Sequence, residues 1–364
     1  MSGPESTTRR LKPETDTELL EISHGFQLSR ALLTACELEV FTALGDAAMP
    51  ASELAGRIGA DPAATERLLN AMCALGVLNK ADERFSNAPV AQRYLVRGAP
   101  EYIAPLYITQ TWDNWARLTD AVRRGKPIIV QPFRDPARIW LSALGAALRR
   151  GWIRLWQVLS RSDRWLNAFV DYLRGKARRR AAAVIRLLDL SDVSSALDIG
   201  GGPGIYATTF ARASEGLTIT VLDRPEVVAI ARRNIAREGL GDRVHTVGAN
   251  FHRDAIAGDY DLVFISETVH ANSSAENEVL VRKAAAVLTP GGRLVVHDYI
   301  LDDDRTGPLY GALFSLEMLL VREGADNYTG AQVREWMTAA GLERIERVET
   351  GVGTTLMIAH KVSV

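Results

Sequence analysis

A chain of 364 residues is too long for one ordinary domain and suits two. Its apolar share of 47% and charged share of 24% are those of a water-soluble globular protein, which excludes a disordered or membrane-embedded chain. With 43 Lys and Arg against 44 Asp and Glu, the overall charge favours neither nucleic acid nor an acidic partner.

Met1 to Asp16 is polar and charged, lacks the apolar core of a signal peptide, and reads as a disordered tail. No uninterrupted apolar run is long enough to span a bilayer. Leu19 to Leu44 has apolar residues at three- and four-residue spacing and is predicted as helix. Ser52 is the expected N-cap of a short helix closed by Gly56 to Gly59. Asp61 and Pro62 open the next helix, Asp61 as cap and Pro62 in the first helical position. Leu68, Leu69, Met72 and Leu75 carry that helix to Gly76. Val77 to Phe85 reads as a small two-stranded wing. Short helices followed by a wing give a winged-helix pattern over residues 17–110. Its second helix has one basic residue, Arg67, against Asp61 and Glu66, where a DNA-recognition helix needs several phosphate and base contacts. A dimerisation module is therefore preferred to a DNA-binding regulator. Cys36 and Cys73 both fall in helical patterns, which gives no disulfide framework and points to a reducing cytoplasm.

Residues 111–190 read as a helical connecting region. Arg134 to Arg186 is rich in arginine, poor in acids, and contains Trp140, Trp152, Trp156 and Trp165. Amphipathic helices with tryptophans in a core and arginines in solvent are the preferred reading. The alternatives are a cap over a large apolar ligand and a surface resting on anionic lipid.

From Asp192 strands and helices alternate. Strands are predicted at 195–199, 218–222, 243–247, 260–266 and 293–298, and helices at 205–214, 225–238 and 276–287. The expected fold over 191–364 is a parallel, doubly wound α/β sheet. Apolar runs near 343–349 and 354–360 predict a hairpin at one edge.

The first of these strands ends in Asp198 and runs into Gly200-Gly201-Gly202-Pro203-Gly204. A dinucleotide fingerprint started at Gly200 would need its last glycine where Ile205 stands. No Lys-Ser or Lys-Thr follows for a phosphate loop. What remains is Gly200, Gly202 and Gly204 beside an acidic residue that opposes a pyrophosphate and suits a cationic amino-acid group. S-adenosylmethionine has that group and no phosphate. Asp223 ends the second strand, where a carboxylate can accept bonds from both ribose hydroxyls. The alternative is a tight strand-to-helix turn with no ligand.

With these pieces in place, the chain resembles the two-domain, plant-type S-adenosylmethionine-dependent O-methyltransferases and their bacterial relatives in natural-product and pigment pathways. The matching runs are Leu197-Asp-Ile-Gly-Gly-Gly-Pro-Gly, Asp223-Arg-Pro-x-Val, Gly248-Ala-Asn-Phe, Tyr260-Asp-Leu-Val, Leu288-Thr-Pro-Gly-Gly-Arg and Asn327-Tyr-Thr. Ala35-Cys-Glu-Leu-Glu-Val-Phe and Leu75-Gly-Val-Leu resemble the family's dimerisation domain. The likeness covers nearly the whole chain and is weakest over 127–165. It implies a class I methyltransferase domain behind a winged-helix dimerisation domain, a homodimer, and S-adenosylhomocysteine as product.

The resemblance also implies adenine contacts from the Gly248–Phe251 turn. Ala249 stands where relatives often have aspartate, which leaves Asn250 as acceptor and Phe251 to pack on the ring. Ser266 stands at the position of a lysine that some members carry four residues before the base. Ile265-Ser-Glu-Thr-Val-His270 is the carboxyl end of a strand, which faces the ligand crevice in a doubly wound sheet. A histidine there can take the proton of a phenol or enol, and His270 matches the family's base position. The alternative is a histidine satisfied structurally at a strand end. The family's His-Asp-Trp reads His270-Ala-Asn here. Of the two carboxylates that flank the base in relatives, the first matches Asp298 and the second falls on Asn327. Tyr310, Phe314 and Met318 match the helix that lines the acceptor pocket. Glu267, His297 and Asp302–Asp304 lack ligand spacing, so no metal is expected. The expected activity is O-methylation of an aromatic, polyketide or isoprenoid hydroxyl. The competing readings are C- or N-methylation, or a non-methylating reaction, on the same fold.

Overall fold

The computed structural model describes residues 13–103, 112, 114–128 and 177–362. The tail expected at the N-terminus lies almost wholly outside the described residues, as do the four tryptophans of the arginine-rich stretch and the cap and lipid readings built on them. The chain divides into two compact units: 13–103 with 112, and 114–128 with 177–362, among the described residues. No helix among the described residues is long and apolar enough to cross a membrane.

In the first unit, Thr15 caps the helix Asp16–Glu37 in a reciprocal box with Glu18. The single helix predicted over 19–44 is in fact two. Glu39 takes a left-handed φ of 58°, and a second helix, Val40–Leu44, starts after it. The break lets Val40, Phe41 and Leu44 enter the core with Ala35 and Cys36. Ser52 is not a cap: the helix Ala51–Ile58 starts two residues earlier than that cap would place it, with Pro50 as its N-cap. The reason is that Met49–Pro50 is held extended as a short strand, β1, paired with Phe85 and Arg84. Asp61 does cap the helix Pro62–Ala74, its carboxylate accepting the Ala64 N–H at 2.8 Å. The wing forms from β2 (Leu78–Ala81) and β3 (Arg84–Asn87), with Asp82 and Glu83 both at positive φ in the tight turn. Leu54, Leu69, Met72, Leu78 and Phe85 close this unit's core.

The second unit is a seven-stranded sheet in the order β6-β5-β4-β7-β8-β10-β9. Its strands are β4 (Ser195–Ile199), β5 (Thr218–Asp223), β6 (Val244–Gly248), β7 (Tyr260–Ser266), β8 (Leu288–Asp298), β9 (Leu342–Glu349) and β10 (Thr355–Lys361). β4 to β8 run parallel to one another; β10 runs antiparallel between β8 and β9, the edge hairpin expected from the late apolar runs. Both faces are covered, so the central strands are apolar on both sides. Leu262 and Phe264 join one core with Phe210, Ala231 and Ile235, whereas Val263 and Ile265 join the other with Leu280, Val281 and Trp336. β8 is longer than the 293–298 predicted. Its first residue, Leu288, pairs with Tyr260, and a bulge separates that pair from the regular register that begins at Leu262 and Arg293. The order reverses at β4, whose neighbours are β5 and β7. That switch point opens a crevice at the carboxyl ends of the strands.

Candidate active site

The loop after β4 occupies one side of the crevice. Gly200, Gly202 and Gly204 all have positive φ, of 72°, 53° and 77°, which lets the chain turn sharply before the helix Ile205–Ala213. A Cβ on Gly200 would lie 2.5 Å from the Thr268 hydroxyl, so the loop packs directly on the turn that follows β7. Asp198 is completely buried, and neither carboxylate oxygen has a hydrogen-bond partner among the described residues. Burial, with the nearby charge of Asp223, pushes its carboxyl up to about 7. An ammonium group is the natural partner for such a site, which fits the amino-acid end of S-adenosylmethionine.

Asp223 closes β5. It accepts the Gly202 N–H at 3.0 Å and the Arg224 N–H at 2.7 Å. These bonds fix the carboxylate at the loop and leave lone pairs on both oxygens for further donors. Beyond β6, the Asn250 side-chain oxygen accepts the His252 N–H at 3.1 Å, and Phe251 packs on the sheet core. The amide expected at the adenine is thus already engaged in its own turn. Ser266 is also diverted. It is buried at the end of β7, and its hydroxyl shares a 2.9 Å hydrogen bond with His297 Nδ1. His297 in turn meets Thr354 at 2.7 Å.

The other side of the crevice is built from the ends of β7 and β8. His270 lies in the single turn Val269–Ala271, and Asp298 is the last residue of β8. His270 Nδ1 is 2.8 Å from Asp298 Oδ1 and 3.0 Å from Oδ2. Burial alone would raise the Asp298 carboxyl. The charge and hydrogen bond of His270, with the Tyr299 N–H, more than offset it and hold the group below the usual carboxylate range. An ionised Asp298 can only accept, so the proton between the pair belongs on Nδ1 and neutral His270 carries its lone pair on Nε2.

Aromatic rings stand beside this pair. Phe314 meets the imidazole edge-on with ring centres 4.9 Å apart, Tyr299 lies 4.6 Å from Phe314, and Tyr310 lies 5.1 Å from Tyr299. Met318, one turn after Phe314 on the same helix Leu309–Val321, is buried. Asn327 is buried too. Its amide donates to the Gly311 carbonyl at 2.6 Å, and the chain is held near His270 by the Asp326 N–H on the His270 carbonyl at 3.2 Å. Asp326 itself turns to Arg305 and Ser315. Two residues of the site escaped the sequence reading. Arg180 lies in an arginine-rich helical run where pattern assigns it to solvent, yet it is buried against Glu267 and Tyr299. Tyr299 shows no spacing signal of its own. Among the described residues, no three His, Cys, Asp or Glu side chains cluster to hold a metal ion.

Residues 115–343 match the O-methyltransferase domain model, and residues 20–97 match the O-methyltransferase dimerisation domain. The chain belongs to the O-methyltransferase family. It is similar to 3-hydroxy-5-methyl-1-naphthoate 3-O-methyltransferase of Streptomyces sahachiroi, with 31% identity over 335 residues and 91% of each chain covered. It is likewise similar to the tetracenomycin polyketide synthesis 8-O-methyl transferase of Streptomyces glaucescens, with 30% identity over 94% of this chain and 96% of the other. The structure of human N-acetylserotonin methyltransferase in complex with S-adenosylmethionine superposes with a TM-score of 0.80 at 26% identity, over 100% of both chains. S-adenosylmethionine is the methyl donor of this O-methyltransferase, as the glycine spacing and Asp198 implied.

Proposed function

We propose that the enzyme methylates the hydroxyl of a flat aromatic small molecule of polyketide type, with His270 as general base. The observation that carries this reading is the His270–Asp298 contact of 2.8 Å at the strand ends, beside a wall of aromatic rings. The printed substrates of both Streptomyces relatives support the acceptor class. S-adenosylmethionine supplies an electrophilic methyl on a sulfonium. Asp223 orients the ribose, and Asp198 the ammonium of the amino-acid end. Asn250 and Phe251 flank the adenine; Ser266 acts through His297 and not by direct contact. Phe314 and Tyr310 press the acceptor ring so that its hydroxyl faces His270 Nε2, while Met318 and Asn327 back the wall from behind. As the acceptor oxygen bonds to the methyl carbon, the carbon–sulfur bond breaks, its electron pair returns to sulfur, and the hydroxyl proton passes to Nε2. Asp298 stabilises the imidazolium until it releases that proton to water.

The dimerisation domain supports a homodimer. The helix Asp16–Glu37 supports it too, since it exposes the large apolar side chains Leu19, Leu20, Ile22, Phe26 and Leu28, with Leu19, Ile22 and Phe26 on one face. Cys36 and Cys73 are unpaired, which suits a reducing cytoplasm. The test is S-adenosylhomocysteine release over a panel of hydroxylated aromatic acids. Replacing His270 by Ala should cut turnover by about two to four orders of magnitude, with cofactor affinity near wild type. Unchanged turnover in H270A removes the residue from the base role.

A further inference from the structure

One guanidinium lies behind the site, in contact with both strand ends that form it. Arg180, on the helical run 177–185, is buried with only 9% of its surface exposed. Its Nη1 pairs with Glu267 Oε2 at 2.8 Å, and its Nη2 donates to the Tyr299 hydroxyl at 2.5 Å. The guanidinium carbon also stands 4.7 Å from the centre of the Tyr299 ring. Glu267 lies three residues before His270, on the turn after β7; Tyr299 directly follows Asp298 at the end of β8. The turn is an unfavourable one for the chain. Glu267 has a positive φ of 48° and is not glycine, a conformation that persists only where its surroundings hold it.

We propose that Arg180 is a positioning residue that ties the turn carrying His270 to the strand end carrying Asp298, and so sets the register of the pair. The planar fork suits this task, since its two donors point in fixed directions and its face stacks on an aromatic ring. The link has three supports on the β7 side. Besides Arg180, the Tyr206 hydroxyl reaches Glu267 Oε1 at 3.4 Å, and the Thr268 hydroxyl donates to the Ser266 carbonyl at 2.9 Å. On the β8 side Tyr299 N–H donates to Asp298 Oδ1 at 2.8 Å, the same oxygen that meets His270. Movement of Tyr299 therefore moves the acceptor of the imidazole proton. The proposal rests on the reading of His270 as base only for its kinetic consequence; the geometric claim stands apart from it.

The test uses the full-length enzyme labelled with nitrogen-15 in histidine, where ring nitrogen shifts report which nitrogen carries the proton. The chain has six histidines, and H270A assigns the signals of interest. Loss of Arg180 alone leaves a nearly buried carboxylate without its cation, so Arg180→Met is paired with the double variant R180M/E267Q, which removes both charges. Tyr299→Phe removes only the hydroxyl link. In the wild type a single tautomer with the proton on Nδ1 is expected at neutral His270. In R180M/E267Q a second population with the proton on Nε2 should appear, and Y299F should show the same change more weakly. With a hydroxynaphthoate as probe acceptor, turnover should fall about 10- to 100-fold and affinity for S-adenosylmethionine should stay within about threefold. An unmoved single tautomer in both R180M/E267Q and Y299F overturns the proposal, whatever the rate does. A mixed tautomer with undiminished turnover upholds the link and instead defeats His270 as base.

Discussion

Two buried aspartates, at the carboxyl ends of two strands that flank β7, are driven in opposite directions. Asp198 is the penultimate residue of β4 and Asp298 the last of β8; neither has more than 1% of its surface exposed. Asp198 has no hydrogen-bond partner among the described residues and another acid nearby, and its carboxyl rises to about 7. Asp298 suffers the same burial but meets His270 and the Tyr299 N–H, and its carboxyl drops below the usual range. Burial alone therefore does not decide the charge state of a carboxylate; its partners do. In the proposed function the first aspartate meets the ammonium of the cofactor, whereas the second is already paired with a donor supplied by the chain itself. On that proposal the site has one half completed by the cofactor and one half completed by the fold.

The sharpest way to break this contrast is to neutralise each carboxyl in turn. Asp298→Asn offers its amide N–H to Nδ1 and favours the tautomer whose Nε2 is already protonated. Turnover should fall by roughly two to three orders of magnitude, while cofactor binding by calorimetry stays near wild type. A loss of cofactor affinity in place of rate would mean that the two halves are not separate. Asp198→Asn should do the reverse. It removes the anion expected to meet the ammonium group, so affinity for S-adenosylmethionine should drop about 10- to 100-fold, the worth of a charge-assisted hydrogen bond. Turnover at saturating cofactor should change much less. Equal affinity in D198N would detach Asp198 from the cofactor.

The same contrast marks what the sequence made legible. Strand β4, its glycines and Asp223 were readable because their chemistry is local: period, turn and acid lie within one continuous run. His270 and Asp298 were placed by the rule that strand ends face the crevice, together with family likeness. Likeness carries positions, not partners. Ser266 keeps its place on β7, but His297, which comes from β8, takes its hydroxyl. Asn327 keeps its place, and its amide nitrogen donates to Gly311 while its Oδ1 has no hydrogen-bond partner among the described residues. Arg180 was unreadable for the same reason, since Tyr299 is 119 residues away in the chain. In the first unit the break at Glu39 leaves no trace in the apolar spacing, because the helical period continues across it. The two-residue strand β1 is too short to show any period at all.

The smallest effect, and the one most specific to the contrast, is the pH dependence of stability without ligand. Folding raises the Asp198 carboxyl from the ordinary value of 3.8 to about 7, so the folded chain holds a proton that the unfolded chain has released. The stability from this group is complete below the ordinary carboxyl value and is lost as pH rises toward about 7. Asp298 has the opposite sign. Its contribution is complete above the ordinary value and is lost as pH falls through its lowered native value. Thermal unfolding of the ligand-free enzyme should therefore decline between about pH 4 and 7 in the wild type, and that decline should flatten in D198N. S-adenosylhomocysteine brings an ammonium to Asp198 and favours its ionised form. It should stabilise the wild type more at pH 8 than at pH 6, a difference that D198N should lack. If the variant declines as steeply as the wild type, Asp198 is already ionised in the ligand-free fold. The first half of the site would then be as prepared as the second.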